Sequence, residues 1–114
     1  MKTLDNIRLS DRDRRAVEAA CRLLRERFPL ETVILFGSKA RGNDDPESDM
    51  DLLVLTTRPL SWQEKKELTY SLFDVEIEHD VVISTLIATR SEWENGYFSV
   101  LPIHEEIVEE GAIV

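Results

Sequence analysis

Two short apolar runs, Thr32-Val33-Ile34-Leu35-Phe36 and Leu52-Leu53-Val54-Leu55, constrain this chain more than any other feature. Alternate residues of a strand face opposite sides, so a run that is apolar at nearly every position needs cover on both faces. Helical sequence is at hand to supply it. Val17, Ala20, Cys21, Leu24 and Phe28 recur at helical spacing against charged positions such as Arg15, Glu18 and Arg22. Ser10 and Asp13 resemble a capping box that opens this helix, and Pro29 lies just past its end. Ser61, soon after Pro59, caps a second helix running to about Phe73. A third strand is expected within 75–89, centred on Val81-Val82-Ile83, and Ser91 to Glu94 reads as a brief helical turn. The last helix runs from Tyr97 to Glu110, with Gly111 just beyond its end. Helices alternating with short buried strands imply an α/β (α+β) domain around one small sheet.

With 114 residues the chain is expected to form a single domain, 1–114, with one core. Its formal net charge of −9 argues against a surface that grips nucleic-acid phosphates, which needs clustered Lys and Arg. Cys21 is the single cysteine and falls on the apolar face of the first helix, which makes it a core residue and excludes an internal disulfide. Neither a signal peptide nor a run long enough to span a membrane is present, so the cytoplasm is the expected location.

Chemistry concentrates in Phe36-Gly37-Ser38-Lys39-Ala40-Arg41-Gly42 and, after a loop, Asp49-Met50-Asp51. A glycine at the end of a buried strand lets the backbone turn sharply and lets a ligand approach closely. A short helix starting there would aim free N–H groups at that spot, a seat for phosphate oxygens to which the Ser38 hydroxyl adds a donor. Asp49 and Asp51, two apart on a strand, share a face with Cα atoms about 6.5 Å apart. Carboxylates so placed repel each other unless a cation joins them, and Mg²⁺ fits when a triphosphate completes its shell. Phosphate seat and cation seat together describe a phosphoryl-transfer site.

Gly-Ser, ten residues, then Asp-x-Asp resembles the signature of the polymerase-β-like nucleotidyltransferase superfamily. The fuller strings Leu35 to Gly42 and Ser48-Asp49-Met50-Asp51-Leu52 resemble its minimal nucleotidyltransferase (MNT) branch, as do the leading helix and the Glu-Glu-Gly-Ala-Ile-Val ending. The resemblance implies a small mixed β-sheet flanked by helices. It implies further that Gly37 and Ser38 hold the triphosphate of ATP or another NTP, that Asp49 and Asp51 bind a pair of Mg²⁺ ions, and that Arg41 contacts phosphate or a partner. Relatives that perform chemistry carry a third acid on the next strand. Here Asp80 is the candidate catalytic acid, although counting back from Ser91-Glu92-Trp93 puts Ser84 near that position.

Other side chains read mainly as structural. His79 reads equally as a surface residue beside Glu78 or as a base, His104 is expected at the surface, and Trp62, Trp93, Tyr97 and Phe98 in core or edge packing, with Tyr97 and Phe98 open to a docking role. Glu105, Glu106, Glu109 and Glu110 form the wet side of the last helix.

The function these residues suggest is Mg-dependent transfer of a nucleoside monophosphate, AMP from ATP, to a hydroxyl. Since the family's minimal members pair with helical HEPN proteins, the resemblance implies an antitoxin that adenylylates a HEPN-type toxin. An alternative is a weak or inactive nucleotide-binding module that neutralises its partner by binding. A third is transfer to a small molecule such as an antibiotic. Oligomeric state is left open by the sequence.

Overall fold

The computed structural model describes residues 1–42 and 45–114. Its longest element, helix α1 (Asp11–Arg27), starts where Ser10 accepts a hydrogen bond from the Asp13 N–H. Ala16, Val17, Ala20, Cys21 and Leu24 form its buried stripe, as the periodicity requires. Strands β2 (Leu30–Phe36) and β3 (Met50–Thr56) pair antiparallel, with the turn helix α2 (Gly37–Ala40) directly after β2. β4 (Ile83–Thr89) pairs parallel with β3 on its other side. Two-residue strands, β1 (Lys2–Thr3) and β5 (Ala112–Ile113), extend the sheet to the order β1-β5-β2-β3-β4.

Both faces of this sheet are covered, which is why its central strands are apolar at almost every position. Val33 and Leu35 of β2 and Met50, Leu52 and Val54 of β3 pack with α1. The same layer receives Leu68 from helix α3 (Trp62–Ser71), Leu72 from the junction that follows, and Val75 from helix α4 (Phe73–His79). Ile34, Phe36, Leu53 and Leu55 point the other way. They meet Trp93 of helix α5 (Arg90–Asn95) and Ile107 of helix α6 (Pro102–Glu110). The result is the mixed, helix-flanked sheet expected from the sequence.

Several local expectations are corrected. Residues 73–79 are helical, because Leu68, Leu72 and Val75 continue one buried stripe; the strand therefore begins at Ile83 and leaves Val82 exposed. Tyr97–Val100 forms a 3-10 turn, and α6 starts only at Pro102, a residue suited to a first helical turn. Gly111 ends α6 in extended conformation (φ −66°), not left-handed. It is needed for space: a Cβ there would lie 2.7 Å from Ile34 Cγ2. The chain then enters β5, and the Val114 N–H donates to the Val33 carbonyl. Trp62 is 74% exposed instead of packed, whereas His104 is half-buried and stacks on Trp93 with ring centroids 4.4 Å apart.

Candidate nucleotide and metal site

At the end of β2 the backbone turns at Gly37 with φ +75°, in the left-handed region that glycine enters without strain. A β-carbon at this position would collide with Oδ2 of Asp51. The glycine therefore serves two ends: it makes the turn, and it brings the first amides of α2 against the acid of the neighbouring strand. Those amides have no partner within the helix, as in any first helical turn.

Register fixes the rest. Phe36 pairs with Asp51 across β2 and β3, and Asp51 pairs with Ser84 across β3 and β4. A cavity of about 540 Å³ opens at this corner, lined among others by Gly37, Ser38, Arg41, Asp51, Ser84 and Glu106. Asp51 shares the sheet face of Leu53 and Leu55, so the cavity lies on the α5–α6 side. Asp49, exposed just ahead of β3, lies outside this lining but close enough for its charge to act on Asp51.

The Asp51 carboxyl is held above the usual carboxylate range. Burial is the largest cause; the charges of Asp49 and then Glu106 add to it, and Arg41 opposes them. A carboxylate destabilised by burial and by like charge is relieved by a cation, which makes the corner suited to a hard metal ion. Among the described residues no group of three or more His, Cys, Asp or Glu side chains converges as a metal cage. A cation at Asp49 and Asp51 would thus need further oxygens from phosphate or water.

One of the expected site residues is placed elsewhere, and another lies at the corner but is engaged by two acids. Asp80 is not brought to this corner. It caps α4 in the left-handed conformation (φ 56°) and lines a separate cavity with Arg12, Glu47 and Ser48. Ser84, four residues on and about 13 Å along the chain in extended conformation, takes the place beside Asp51. The expected third acid is therefore replaced by a hydroxyl. Arg41 does line the cavity, but its Nη1 donates to Glu106 Oε1 at 3.1 Å and to Glu110 Oε2 at 3.0 Å.

Two contributions escaped the sequence reading. Glu106 belongs to the cavity, and the only sequence signal was its four-residue spacing from Glu110, which puts both on one side of α6. Lys39 is 1% exposed, and its Nζ donates to Asp13 Oδ2 and to the Asp45 carbonyl, both at 2.8 Å. This buried ion pair fastens α2 to α1 and to the loop that leads into Asp49. Arg12 secures the same loop through the Pro46 carbonyl at 2.9 Å. A lysine within a short glycine-led turn carries no signal that it faces inward.

The chain is similar to several known proteins. A Methanocaldococcus jannaschii protein named as a protein adenylyltransferase is 40% identical over 62 residues, which cover 54% of this chain and 63% of that protein. The matched part of the chain thus spans less than two thirds of that relative's length. A crystal structure of a toxin–antitoxin with AMP-PNP superposes with a TM-score of 0.61 at 19% identity, covering 91% of this chain and 72% of that one. The complex of the tri-AMPylated Shewanella oneidensis HEPN toxin with its MNT antitoxin gives a TM-score of 0.56 at 20% identity, covering 88% and 69%. These structural likenesses establish the fold. The nucleotidyltransferase domain family profile matches residues 17–114, a span that contains the Gly37 turn, both aspartates and every strand but β1. On that match and this geometry, the chain belongs to the nucleotidyltransferase domain family, a family of transferases.

Proposed function

We propose that this protein transfers a nucleoside monophosphate, AMP from ATP, to a hydroxyl group with Mg²⁺ as the cofactor, and that the acceptor is carried by a helical partner of the HEPN type. The single observation that carries the reading is the contact between Gly37 and Asp51, which sets backbone donors and an acid against one cavity. Gly37 and Ser38 would seat the triphosphate through N–H groups and the Ser38 hydroxyl. Asp49 and Asp51 would hold the metal, which when bound supplies charge neutralisation across the phosphates. In the transfer, the acceptor oxygen forms a bond to the α-phosphorus as the bond to pyrophosphate breaks. Arg41, tied to α6, keeps a cation at the rim where negative charge leaves. The tie to a HEPN partner is supported by the likeness in fold to toxin–antitoxin complexes, one an AMPylated HEPN toxin with its MNT antitoxin.

Incubation with labelled ATP and Mg²⁺ together with the product of the adjacent reading frame tests this. Label on that partner, abolished by Asp49→Asn/Asp51→Asn, is the expected result; absence of label with the wild type defeats it.

Ser84 favours a second reading. With a hydroxyl in register with Asp51, the cavity lacks a carboxylate on β4 to take the acceptor's proton. A protein that binds nucleotide, transfers slowly and neutralises its partner by binding is consistent with that substitution. Partner inhibition that survives Asp51→Asn would select it.

A further inference from the structure

Helices α3 and α4 expose an aromatic stripe that the packing of the domain does not use. Trp62 is 74% exposed, Tyr70 53%, Phe73 48% and Ile77 81%. The stripe is continuous: Lys66 Nζ lies 5.0 Å from the Trp62 ring centroid and 5.8 Å from that of Tyr70, and Tyr70 and Phe73 have centroids 5.5 Å apart. Ile77 follows Phe73 by one helical turn. The inward sides of the same helices are already spent, with Leu68, Leu72 and Val75 in the core. Solvated helix surfaces seldom carry so many large apolar groups in one line, whereas the centres of protein interfaces are rich in aromatic residues.

One edge of the stripe is acidic. Glu67, Asp74 and Glu78 are exposed and recur at spacings of seven and four, one row beside the aromatic one. That edge, in a chain of net charge −9, decides among occupants. A second copy would bring two chains of like net charge together, and a two-fold axis across the stripe would set acidic row against acidic row as well. Anionic lipid and nucleic-acid phosphates are repelled in the same way. We infer that the α3–α4 stripe is a docking face for another protein, one presenting apolar side chains edged by Lys or Arg. The inference goes beyond the proposed transfer reaction and does not need it, because the nucleotide cavity opens on the opposite face of the sheet.

The face carries its own reporter. Trp93 is 4% exposed and Trp62 74%, so acrylamide quenching of tryptophan emission reads Trp62. The probes are an 18-residue amphipathic helical peptide of Leu and Lys and its Leu/Glu counterpart, titrated into the full chain in moderate salt. The Leu/Lys peptide is expected to shift Trp62 emission to shorter wavelength and shield it from acrylamide, while the Leu/Glu peptide does neither. Phe73→Ser/Ile77→Ser, at exposed positions, is expected to weaken binding at least tenfold. The triple reversal Glu67→Lys/Asp74→Lys/Glu78→Lys is expected to switch preference to the Leu/Glu peptide. Equal binding by the serine variant, an unshielded Trp62, or no switch in the reversed variant would overturn the inference. So would a dimer in sedimentation that the serine variant dissolves, since the occupant would then be a second copy.

Discussion

The carboxylate of Asp51 occupies the space that a β-carbon on Gly37 would need. Residues 14 positions apart in the chain thereby form one feature, in which any side chain at position 37 must displace the acid. Gly37→Ala forces the collision and also places a side chain at φ +75°. Left-handed backbone at a non-glycine residue costs on the order of 1–3 kcal/mol. A loss of stability of that size, together with at least tenfold weaker ATP binding by calorimetry, is expected. An unchanged affinity would separate the turn from the nucleotide.

Asp51 should make the metal-free protein less stable at neutral pH than it could be. Its folded-state pKa is raised, first by burial and then by Asp49 and Glu106. Protonation therefore favours the folded state, and the associated stability is present in acid and lost as pH rises through the raised pKa. Asp51→Asn removes the charge, so its urea midpoint is expected to exceed that of the wild type at neutral pH and to converge with it in acid. Added Mg²⁺ should raise the wild-type midpoint and leave the variant unmoved. A variant less stable than wild type at neutral pH contradicts the burial argument.

The ion pair of Lys39 and Asp13 is buried, with exposures of 1% and 4%. Lys39→Met removes the close partner of the buried aspartate and leaves it the longer contact to Arg12 at 3.4 Å, which costs up to about 3–5 kcal/mol, whereas replacing both partners by apolar residues of similar size is close to neutral. Chemical denaturation of Lys39→Met and of Asp13→Leu/Lys39→Met should show this recovery. The double variant is still expected to bind Mg²⁺·ATP more weakly, since the Asp45 carbonyl has lost its Nζ donor and the loop before Asp49 one of its ties.

Ser84→Asp would restore an acid beside Asp51 at the register position. If an absent base limits transfer, the rate should rise, by about 10²-fold or more for a general base in place. Single-turnover transfer of label from ATP measures this. A rate unchanged or lowered would show that the proton leaves by another route.

Much of the fold was legible because local patterns carried it. The continuous apolar runs of β2 and β3 required cover on both faces, and α1 advertised most of its buried stripe, Val17, Ala20, Cys21 and Leu24, though not Ala16. The strand at residues 83–89 was displaced in the reading because Val81-Val82-Ile83 looks like its centre, while the helical stripe ending at Val75 is written partly in α3. The strands β1 and β5 were invisible: two residues carry no period, and they exist only through pairing with each other and with β2.

For the site, the sequence by itself singled out the turn glycine, the hydroxyl beside it and the two acids, because each motif sits at the edge of an apolar run legible as a strand. Tertiary structure decided between Asp80 and Ser84, which counting along the chain had left open, in favour of Ser84 beside Asp51, and it alone decided that Glu106 joins the cavity and that Lys39 faces inward to Asp13. Each of these depends on register between β3 and β4 or on where α1 and α6 come to rest. Such long-range relations are set by the packing of the whole core, and a linear pattern does not encode them.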